Sequence, residues 1–365
     1  MRIDVITCHN VYNYGASLQA YALSRYLTVL GHEVKIIDYN PVYLEHYYLW
    51  GHVNPKYQSV PLKLAYNFAK FPGRLKDYFF NQRKKNFDCF TKEHLCLTMK
   101  KYHTFHDLKV NPPEADIYIA GSDQIWNTLF SNGKDPAFYL QFGEADTKRV
   151  SYAASFGSNQ LAYGYADRIK SWLSCFDQIS IREQSGLEIL RSLGFGSAIQ
   201  AVDPVFLLES DVWEKLIEDS KVGEEYILFY GFEGDESALK EAFQFAHKHG
   251  LKLYSMNKTE FCDNCFDDKG PLTFLKLIKN ASLIISSSFH ATAFSLIFEK
   301  DFWVFKRKGS INTRMIDLLD MIGLQNRLIQ PEHIRMEKID YSSISENLFA
   351  KIEYSKLFLH EAVLK

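Results

Sequence analysis

Several features that would place a chain in a specialised class are scarce or missing in these 365 residues. Six cysteines are too few for a disulfide framework. No stretch reaches the ~18 apolar residues of a transmembrane helix, and Asp4 interrupts the apolar run that a signal peptide would need. The 42 Lys and Arg are balanced by 44 Asp and Glu, without the basic excess of nucleic-acid-binding chains. We therefore expect a cytoplasmic globular protein that binds no nucleic acid.

The common motifs of metal and cofactor chemistry are also missing. There is no Walker loop, no HExxH, no GxSxG and no GxGxxG, so the corresponding functions lack their signatures. Cys262 and Cys265 form a single CxxC. A zinc site would need two further ligands at matching spacing, and a redox site would need the pair to open a helix after a strand. We expect neither a metal nor a cofactor.

Short apolar runs alternate with segments of helical periodicity along two stretches of the chain. The expected strands of the first stretch are 3–8, 33–39, 115–120, 149–154, 178–182 and 198–202. Those of the second are 226–230, 251–255, 283–286 and 302–305. Such alternation is typical of parallel α/β sheets. It predicts two Rossmann-like, doubly wound domains, at 1–210 and 211–345, and a final helix at 346–365 that packs back across them.

Residues 41–110 interrupt this alternation with an aromatic and basic segment. It holds 15 aromatic residues and has 12 Lys and Arg against 5 Asp and Glu, a local charge of +7. One interpretation is a helical insertion whose basic face is simply solvated. The other is a surface that approaches acidic phospholipid or a lipid-linked pyrophosphate, which would place the protein peripherally at the inner face of the membrane.

Two polar loops follow expected strands of the first domain, where ligands of open α/β sheets bind. The first, after strand 3–8, leads into a helix whose N–H groups suit an anionic or polyhydroxylated ligand. The second, after strand 115–120, combines hydroxyl-binding side chains with a tryptophan that can pack on a sugar ring. Tight turns and helix caps would equally account for both loops. The candidate acceptor-binding residues are Asn13, Gly15, Gln19, Ser122, Asp123, Trp126 and Asn127.

Charged and titratable candidates follow two further strands. Arg182 has the planar fork that binds carboxylate or phosphate, and Glu183 beside it can position the arginine or transfer protons, unless the two form only a surface ion pair. Ser287, Ser288 and His290 precede a helix in the second domain, where hydroxyls and helix N–H groups can cradle an anion. The imidazole of His290 is a side chain that suits general acid–base catalysis, although a single histidine is more often structural.

Six blocks, in this order, resemble the polysaccharide pyruvyl transferase family: NYGASLQAYAL, GSDQIWN, SIREQSG, AVDPVFLL, SSSFHATAFSLIF and NTRMIDLL. The resemblance covers almost the whole chain. It implies a GT-B-like arrangement of two Rossmann-type domains with the active site in the cleft between them. It also implies transfer of an enolpyruvyl group from phosphoenolpyruvate to two hydroxyls of a sugar in a bacterial surface polysaccharide or its lipid-linked precursor, forming a pyruvate ketal and releasing phosphate.

The resemblance further implies roles for individual residues. Arg182 and His290 would hold the anionic groups of the donor, with His290 the first candidate for proton transfer. Arg307 and Arg314 would add positive charge to the same donor site. Members with established pyruvyl transfer have a motif similar to Ser-Arg-Leu-His at the position where this chain has Ser287-Ser288-Phe289-His290. Ser288 therefore stands where the resemblance leads us to expect an arginine. A nucleotide-sugar glycosyltransferase of GT-B type and a non-catalytic carbohydrate-binding relative therefore remain as alternatives.

Overall fold

The computed structural model describes residues 1–44, 81–217, 223–232, 235–305 and 313–364. Arg307 and most of the basic segment expected at 41–110 lie outside these residues. Within them, strands and helices alternate and form two separate parallel sheets. We call these the first sheet and the second sheet.

The first sheet has seven parallel strands in the order β3-β2-β1-β4-β5-β6-β7. They are β1 (Arg2–Ile6), β2 (Glu33–Tyr39), β3 (Leu97–Tyr102), β4 (Ile117–Ala120), β5 (Lys148–Ala154), β6 (Gln178–Ile181) and β7 (Ile199–Gln200). The helices between them are α1 (Tyr14–Val29), α2 (Gln82–His94), α3 (Phe105–Val110), α4 (Ala166–Leu173) and α5 (Gln184–Ser192). Four central strands are almost completely buried, as expected for a sheet covered on both faces.

The second sheet has six parallel strands in the order β10-β9-β8-β11-β12-β13. They are β8 (Tyr226–Tyr230), β9 (Lys252–Ser255), β10 (Asn264–Cys265), β11 (Leu283–Ser286), β12 (Phe302–Phe305) and β13 (Leu328–Ile329). The helices are α6 (Ser210–Leu216), α7 (Glu236–Lys248), α8 (Pro271–Asn280), α9 (Phe289–Ile297), α10 (Thr313–Met321) and α11 (Ser345–Val363). The predicted α/β class with two Rossmann-like, doubly wound sheets is confirmed.

Strand order locates the binding crevices of both sheets. The order reverses between β1 and β4 in the first sheet and between β8 and β11 in the second. In open parallel sheets, ligands bind beyond the carboxyl ends of the strands at such a reversal. The loops that follow these four strands are therefore the expected walls of a binding site.

The basic segment differs from the expected helical insertion where the structure describes it. Residues 81–110 form α2, β3 and α3, and β3 adds an edge strand to the first sheet next to β2. The residues Met99 to Lys101 of β3 are exposed, so its sequence lacks the apolar alternation of an internal strand. The expectation of a purely helical insertion is wrong for this part of the chain.

The two sheets are joined by aromatic packing and by the last helix. Tyr14 of α1 stacks on Phe274 of α8, with ring centroids 4.7 Å apart. The end of α11 packs on the first sheet, where Leu359 and Val363 are buried in the same cluster as Ile3. Among the described helices, none has both the length and the apolar character needed to cross a membrane.

Cys262 and Cys265, the CxxC pair, are joined by a disulfide in the loop that leads from β9 into β10. The sequence did not indicate a disulfide here. The bridge joins residues only three apart in sequence, so it is a local crosslink between β10 and the loop before it and not a framework that holds the fold together.

Candidate functional site

A cleft lies where the strand reversals of the two sheets face each other. Its larger chamber, of about 900 Å³, is lined by loops after β1, β4, β8 and β9. A smaller chamber, of about 280 Å³, is lined by the start of α9 and by Arg314 of α10. Asn13, Asp123, Phe130 and Phe232 line both chambers, so the two are adjacent. The volumes suit a small ligand beside a larger one.

A buried carboxylate, Asp203, organises the charged side chains beside the smaller chamber. It follows β7, is about 1% exposed, and forms an ion pair with Arg182, whose side chain is itself 2% exposed. His290 comes from the second sheet, and its Nε2 lies 3.4 Å from Oδ2 of Asp203. The other carboxylate oxygen accepts the backbone N–H of Val205 at 3.1 Å. A single carboxylate thus holds an arginine from one sheet and a histidine from the other.

A second carboxylate, Asp123, links two arginines in the same way. Its Oδ1 lies 3.5 Å from Arg182 Nη2 and 3.7 Å from Arg314 Nη1. Asp123 has φ of 75°, a left-handed backbone conformation that costs energy for a residue with a Cβ. Such strain concentrates at functional sites, and here it accompanies a carboxylate that lines both chambers.

Phe289, the first residue of α9, lies between the two arginines. The guanidinium carbon of Arg182 is 5.0 Å from the ring centroid, and that of Arg314 is 6.0 Å away. Both distances are within the range of cation–π attraction. We call Asp123, Arg182 and Asp203 the first wall, and Phe289, His290 and Arg314 the second wall.

Burial and neighbouring charges shift the pKa values of these groups in opposite directions. Burial opposes ionisation of Asp203, but His290 and Arg182 outweigh it and hold the pKa of this carboxyl well below its usual range. Burial, and then repulsion from Arg182, lowers the pKa of Arg314 to about 10. Arg314 therefore stays charged at neutral pH, although its charge is the less well compensated of the two arginines.

The residues of the first predicted loop have structural contacts as well as a place in the cleft. Asn13 caps α1, because its side chain accepts the N–H of Ala16 at 3.2 Å, and it lines both chambers. Gly15 lies against the imidazole of His290: a Cβ at this position would be 1.9 Å from Nδ1. Only glycine fits under the ring in its present position.

The serines before α9 are occupied differently from what was expected. Ser287 donates its hydroxyl to Asp235 at 2.7 Å, and Ser286 donates to the carbonyl of Tyr230 at 2.5 Å. Ser288 caps α9 by accepting the N–H of Ala291 at 3.4 Å. Ser287 and Ser288 line the smaller chamber, but they do not form a set of three free hydroxyls.

Several predicted acceptor residues are turned into the protein. Trp126 is completely buried, stacks on Tyr139, and donates its Nε1–H to the carbonyl of Phe138 at 2.9 Å, so its face is not available to a sugar. Gln19 is buried against Thr7. Asn127 is buried and donates to Gln124, and Ser122 is buried behind Asp203. The expectation that these four contact a ligand is wrong for this structure, because protein atoms surround them.

Glu183 is likewise placed for support and not for proton transfer. It is completely buried, and its Oε1 accepts the backbone N–H groups of Phe156 and Gly157 at 2.8 and 3.1 Å. These bonds hold the loop after β5. The expected catalytic role does not fit this position, since Glu183 lines neither chamber of the cleft.

Asp203 is the residue that sequence reasoning missed. It stands in the AVDPVFLL block, directly before a proline, and it caps the short 3₁₀ helix Pro204–Leu207. An Asp-Pro pair after a strand is a recognisable turn signal, but it does not reveal the two cations that meet at the carboxylate. Among the described residues, no group of three or more His, Cys, Asp or Glu side chains is arranged to hold a metal ion.

The sequence as a whole identifies the family. Residues 13–309 match the family described as polysaccharide pyruvyl transferase. This chain belongs to the polysaccharide pyruvyl transferase family. The match spans most of the chain and includes all the charged residues of both walls except Arg314, which lies just beyond its end. No protein of curated function matches the chain in sequence.

Solved structures resemble this family member at low sequence identity. UDP-GlcNAc 2-epimerase from Methanocaldococcus jannaschii, in complex with UDP-GlcNAc and UDP, is 11% identical with a TM-score of 0.49, and the alignment covers 99% of this chain and 100% of that one. The S. aureus MnaA–UDP structure is 12% identical with a TM-score of 0.48, over 98% and 89% of the chains. E. coli heptosyltransferase WaaC with ADP is 10% identical with a TM-score of 0.39, over 100% of both chains.

Proposed function

We propose that this transferase moves the enolpyruvyl group of phosphoenolpyruvate to two hydroxyls of a sugar, as a step in making a bacterial surface polysaccharide or its lipid-linked precursor. The observation that carries the proposal is that Arg314 and His290 line one small chamber, and that Arg182 lies directly behind it, against the ring of Phe289, which lines the chamber as well. A small, multiply charged anion such as phosphoenolpyruvate needs several cationic donors close together. The larger, adjacent chamber supports an acceptor sugar beside the donor.

Arg314 can take the place of the arginine that this chain lacks at Ser288. The family pattern has an arginine at this position, and the chain has a helix-capping serine. Arg314 of α10 lines the same chamber as Ser288 and carries a forked, charged donor to it. It is therefore the candidate for the missing contact to the donor's phosphate or carboxylate.

The reaction balances without a cofactor. A proton is added to C3 of the donor, the first sugar hydroxyl attacks the cationic C2, phosphate leaves with the C–O bond electrons, and the second hydroxyl closes the ketal. Of the two hydroxyl protons released, one replaces the proton given to C3 and the other leaves with phosphate. The walls must therefore supply one acid–base group and cations for the phosphate.

Calorimetric titration tests the donor. Wild type should bind phosphoenolpyruvate saturably, and Arg314→Gln should bind it ~10-fold or more weakly, because a charge-assisted bond worth about 1.5–3 kcal/mol is lost. Arg191→Gln, which changes an exposed arginine on α5, is the matched control and should bind like wild type. If uridine diphosphate binds and phosphoenolpyruvate does not, the result would contradict pyruvyl transfer and favour glycosyl transfer. Binding of neither would favour a non-catalytic carbohydrate-binding protein.

A further inference from the structure

The two nitrogens of His290 have different surroundings. The side chain is buried, with 7% of the residue exposed, and Nε2 points into the protein toward Asp203. The carboxylate of Asp203 has no access to solvent and its pKa is held well below the usual range, so it is ionised. An ionised carboxylate accepts hydrogen bonds and cannot donate them. At 3.4 Å, Nε2 and Oδ2 are within ion-pair distance although their geometry is not that of a formed hydrogen bond, and the negative charge next to Nε2 favours a proton on this nitrogen.

Gly15 covers one face of the ring and does not occupy the edge at Nδ1. A Cβ on Gly15 would lie 1.9 Å from Nδ1 and almost equally far from Cγ and Cε1, at 2.3 and 2.4 Å. If this Cβ lay in the ring plane, in the direction of the Nδ1 lone pair, it would be much farther from Cγ and Cε1 than from Nδ1. The Cβ of a residue at position 15 would therefore lie above the face of the ring. His290 also lines the smaller chamber. Nδ1 is thus the nitrogen that remains for a ligand.

We propose that His290 acts through Nδ1, and that Asp203 is a positioning residue that keeps the other proton on Nε2. The inference rests on the proposed function for its chemistry. The Nδ1–H bond of the imidazolium breaks as the C–H bond at C3 of phosphoenolpyruvate forms. Neutral Nδ1 then takes the proton of the attacking hydroxyl, which restores the starting state.

The contribution of Asp203 is the choice between two tautomers. A neutral imidazole carries one proton, and the hydrogen bond made by one nitrogen decides which nitrogen has the free lone pair. With Asp203 at Nε2, the lone pair is on Nδ1. Asparagine at this position can donate its own N–H to Nε2, and the proton then moves to Nδ1, which leaves no base toward the chamber.

The first experiment reads the tautomer directly and does not depend on turnover. In wild type labelled with ¹⁵N-histidine, the neutral form of His290 should show a protonated Nε2 and an unprotonated Nδ1, with the signals assigned by their loss in His290→Ala. Asp203→Asn should shift the proton toward Nδ1. A protonated Nδ1 in wild type would overturn the proposal, and this reading stands even if Asp203→Asn fails to fold.

The second experiment places an amide at each nitrogen position in turn. The side-chain amide of His290→Asn ends as many bonds from Cβ as Nδ1 does, and that of His290→Gln ends as many bonds away as Nε2. Since a general acid–base group contributes ~10²–10⁴-fold, both variants will be slow, but His290→Asn should bind phosphoenolpyruvate at least ~10-fold more tightly than His290→Gln. The reverse order would contradict action through Nδ1.

The two experiments separate failure of the inference from failure of the proposed function. If wild type shows the expected tautomer but neither binds nor turns over phosphoenolpyruvate, the donor is wrong and the assignment of Nδ1 and Nε2 is intact. If wild type turns over phosphoenolpyruvate with the opposite tautomer, the function stands and Asp203 has no role in choosing the nitrogen.

Discussion

The two walls of the cleft are charged in different ways. On the first wall, Arg182 is paired with Asp203 and Asp123, both of which belong to the same sheet. On the second wall, the carboxylates that contact His290 and Arg314 belong to the first wall. The first wall therefore compensates its one cation fully by itself and has an excess of negative charge. The second wall holds cationic and titratable groups whose balance depends on contact between the sheets.

This difference assigns the walls different tasks. A cation already paired with two carboxylates inside the protein contributes to the fold and offers only part of its hydrogen-bonding capacity to a ligand. A cation with one carboxylate 3.7 Å away is more available to an incoming anion. We expect stability to depend mainly on the first wall and donor binding mainly on the second.

Arg182→Gln should have the largest effect on stability. It leaves Asp203 buried without its arginine, and breaking a buried ion pair typically costs about 3–5 kcal/mol. Urea denaturation should show this loss, while Arg191→Gln, at an exposed position of α5, should change the free energy of unfolding by less than ~0.5 kcal/mol. A loss below ~1 kcal/mol for Arg182→Gln would remove the distinction between the walls.

Arg314→Gln should separate donor binding from stability. Its donor affinity should fall by about 10- to 150-fold, the equivalent of one charge-assisted bond. Burial already works against its charge, so the free energy of unfolding should stay within ~1 kcal/mol of wild type or rise. A loss of stability as large as that of Arg182→Gln would show that both walls are built alike.

Gly15→Ala tests the contact between the walls at His290. Helix propensity alone would favour alanine by about 1 kcal/mol, but its Cβ would overlap the imidazole and should cost about 1–3 kcal/mol net. Gly196→Ala is the control, because no atom lies within 4 Å of a Cβ there. In the His290→Ala background the same change at Gly15 should become neutral or stabilising. An unchanged cost in that background would locate the clash elsewhere.

The strands could be predicted from the sequence where they are buried. β2, β8, β11 and β12 have the expected bounds, because runs of β-branched and aromatic residues end at loop-forming residues. β3 was missed because Leu97–Tyr102 forms a mostly exposed edge strand. Buried strands are defined by their own composition, whereas an edge strand depends on its neighbour.

The site could be predicted only in part. Its location at the strand ends follows from the α/β pattern, since the carboxyl ends of parallel strands meet at one edge. Which side chains turn inward does not follow, because a polar loop has no periodicity: Trp126 packs inside while Asp123, three residues earlier, lines the cleft. The role of Asp203 requires Arg182 and His290 to meet in space, and neither is near it in sequence.

Replacing Asp317 should have the smallest effect on the free energy of unfolding, and this effect should depend on pH. It lies on α10 of the second sheet and accepts the backbone N–H of Gln184, at the start of α5 of the first sheet, at 2.7 Å. Burial raises the pKa of this carboxyl to about 6, and the charge of Glu183 adds to the shift, although the Gln184 bond opposes it. The carboxyl is thus protonated in the folded protein at a pH where the unfolded chain has already released the proton.

The sign of the pH dependence follows. Below about pH 4 both states are protonated, and between about pH 4 and 6 the folded state binds more protons, so the contribution of Asp317 to stability falls as pH rises. Asp317→Asn keeps an acceptor for Gln184 and removes the titration. Its free energy of unfolding should therefore rise relative to wild type between pH 4 and 7, whereas Asp146→Asn, at an exposed position that does not contribute to the shift of Asp317, should run parallel to wild type. A constant difference between Asp317→Asn and wild type would mean that this contact between the sheets does not titrate.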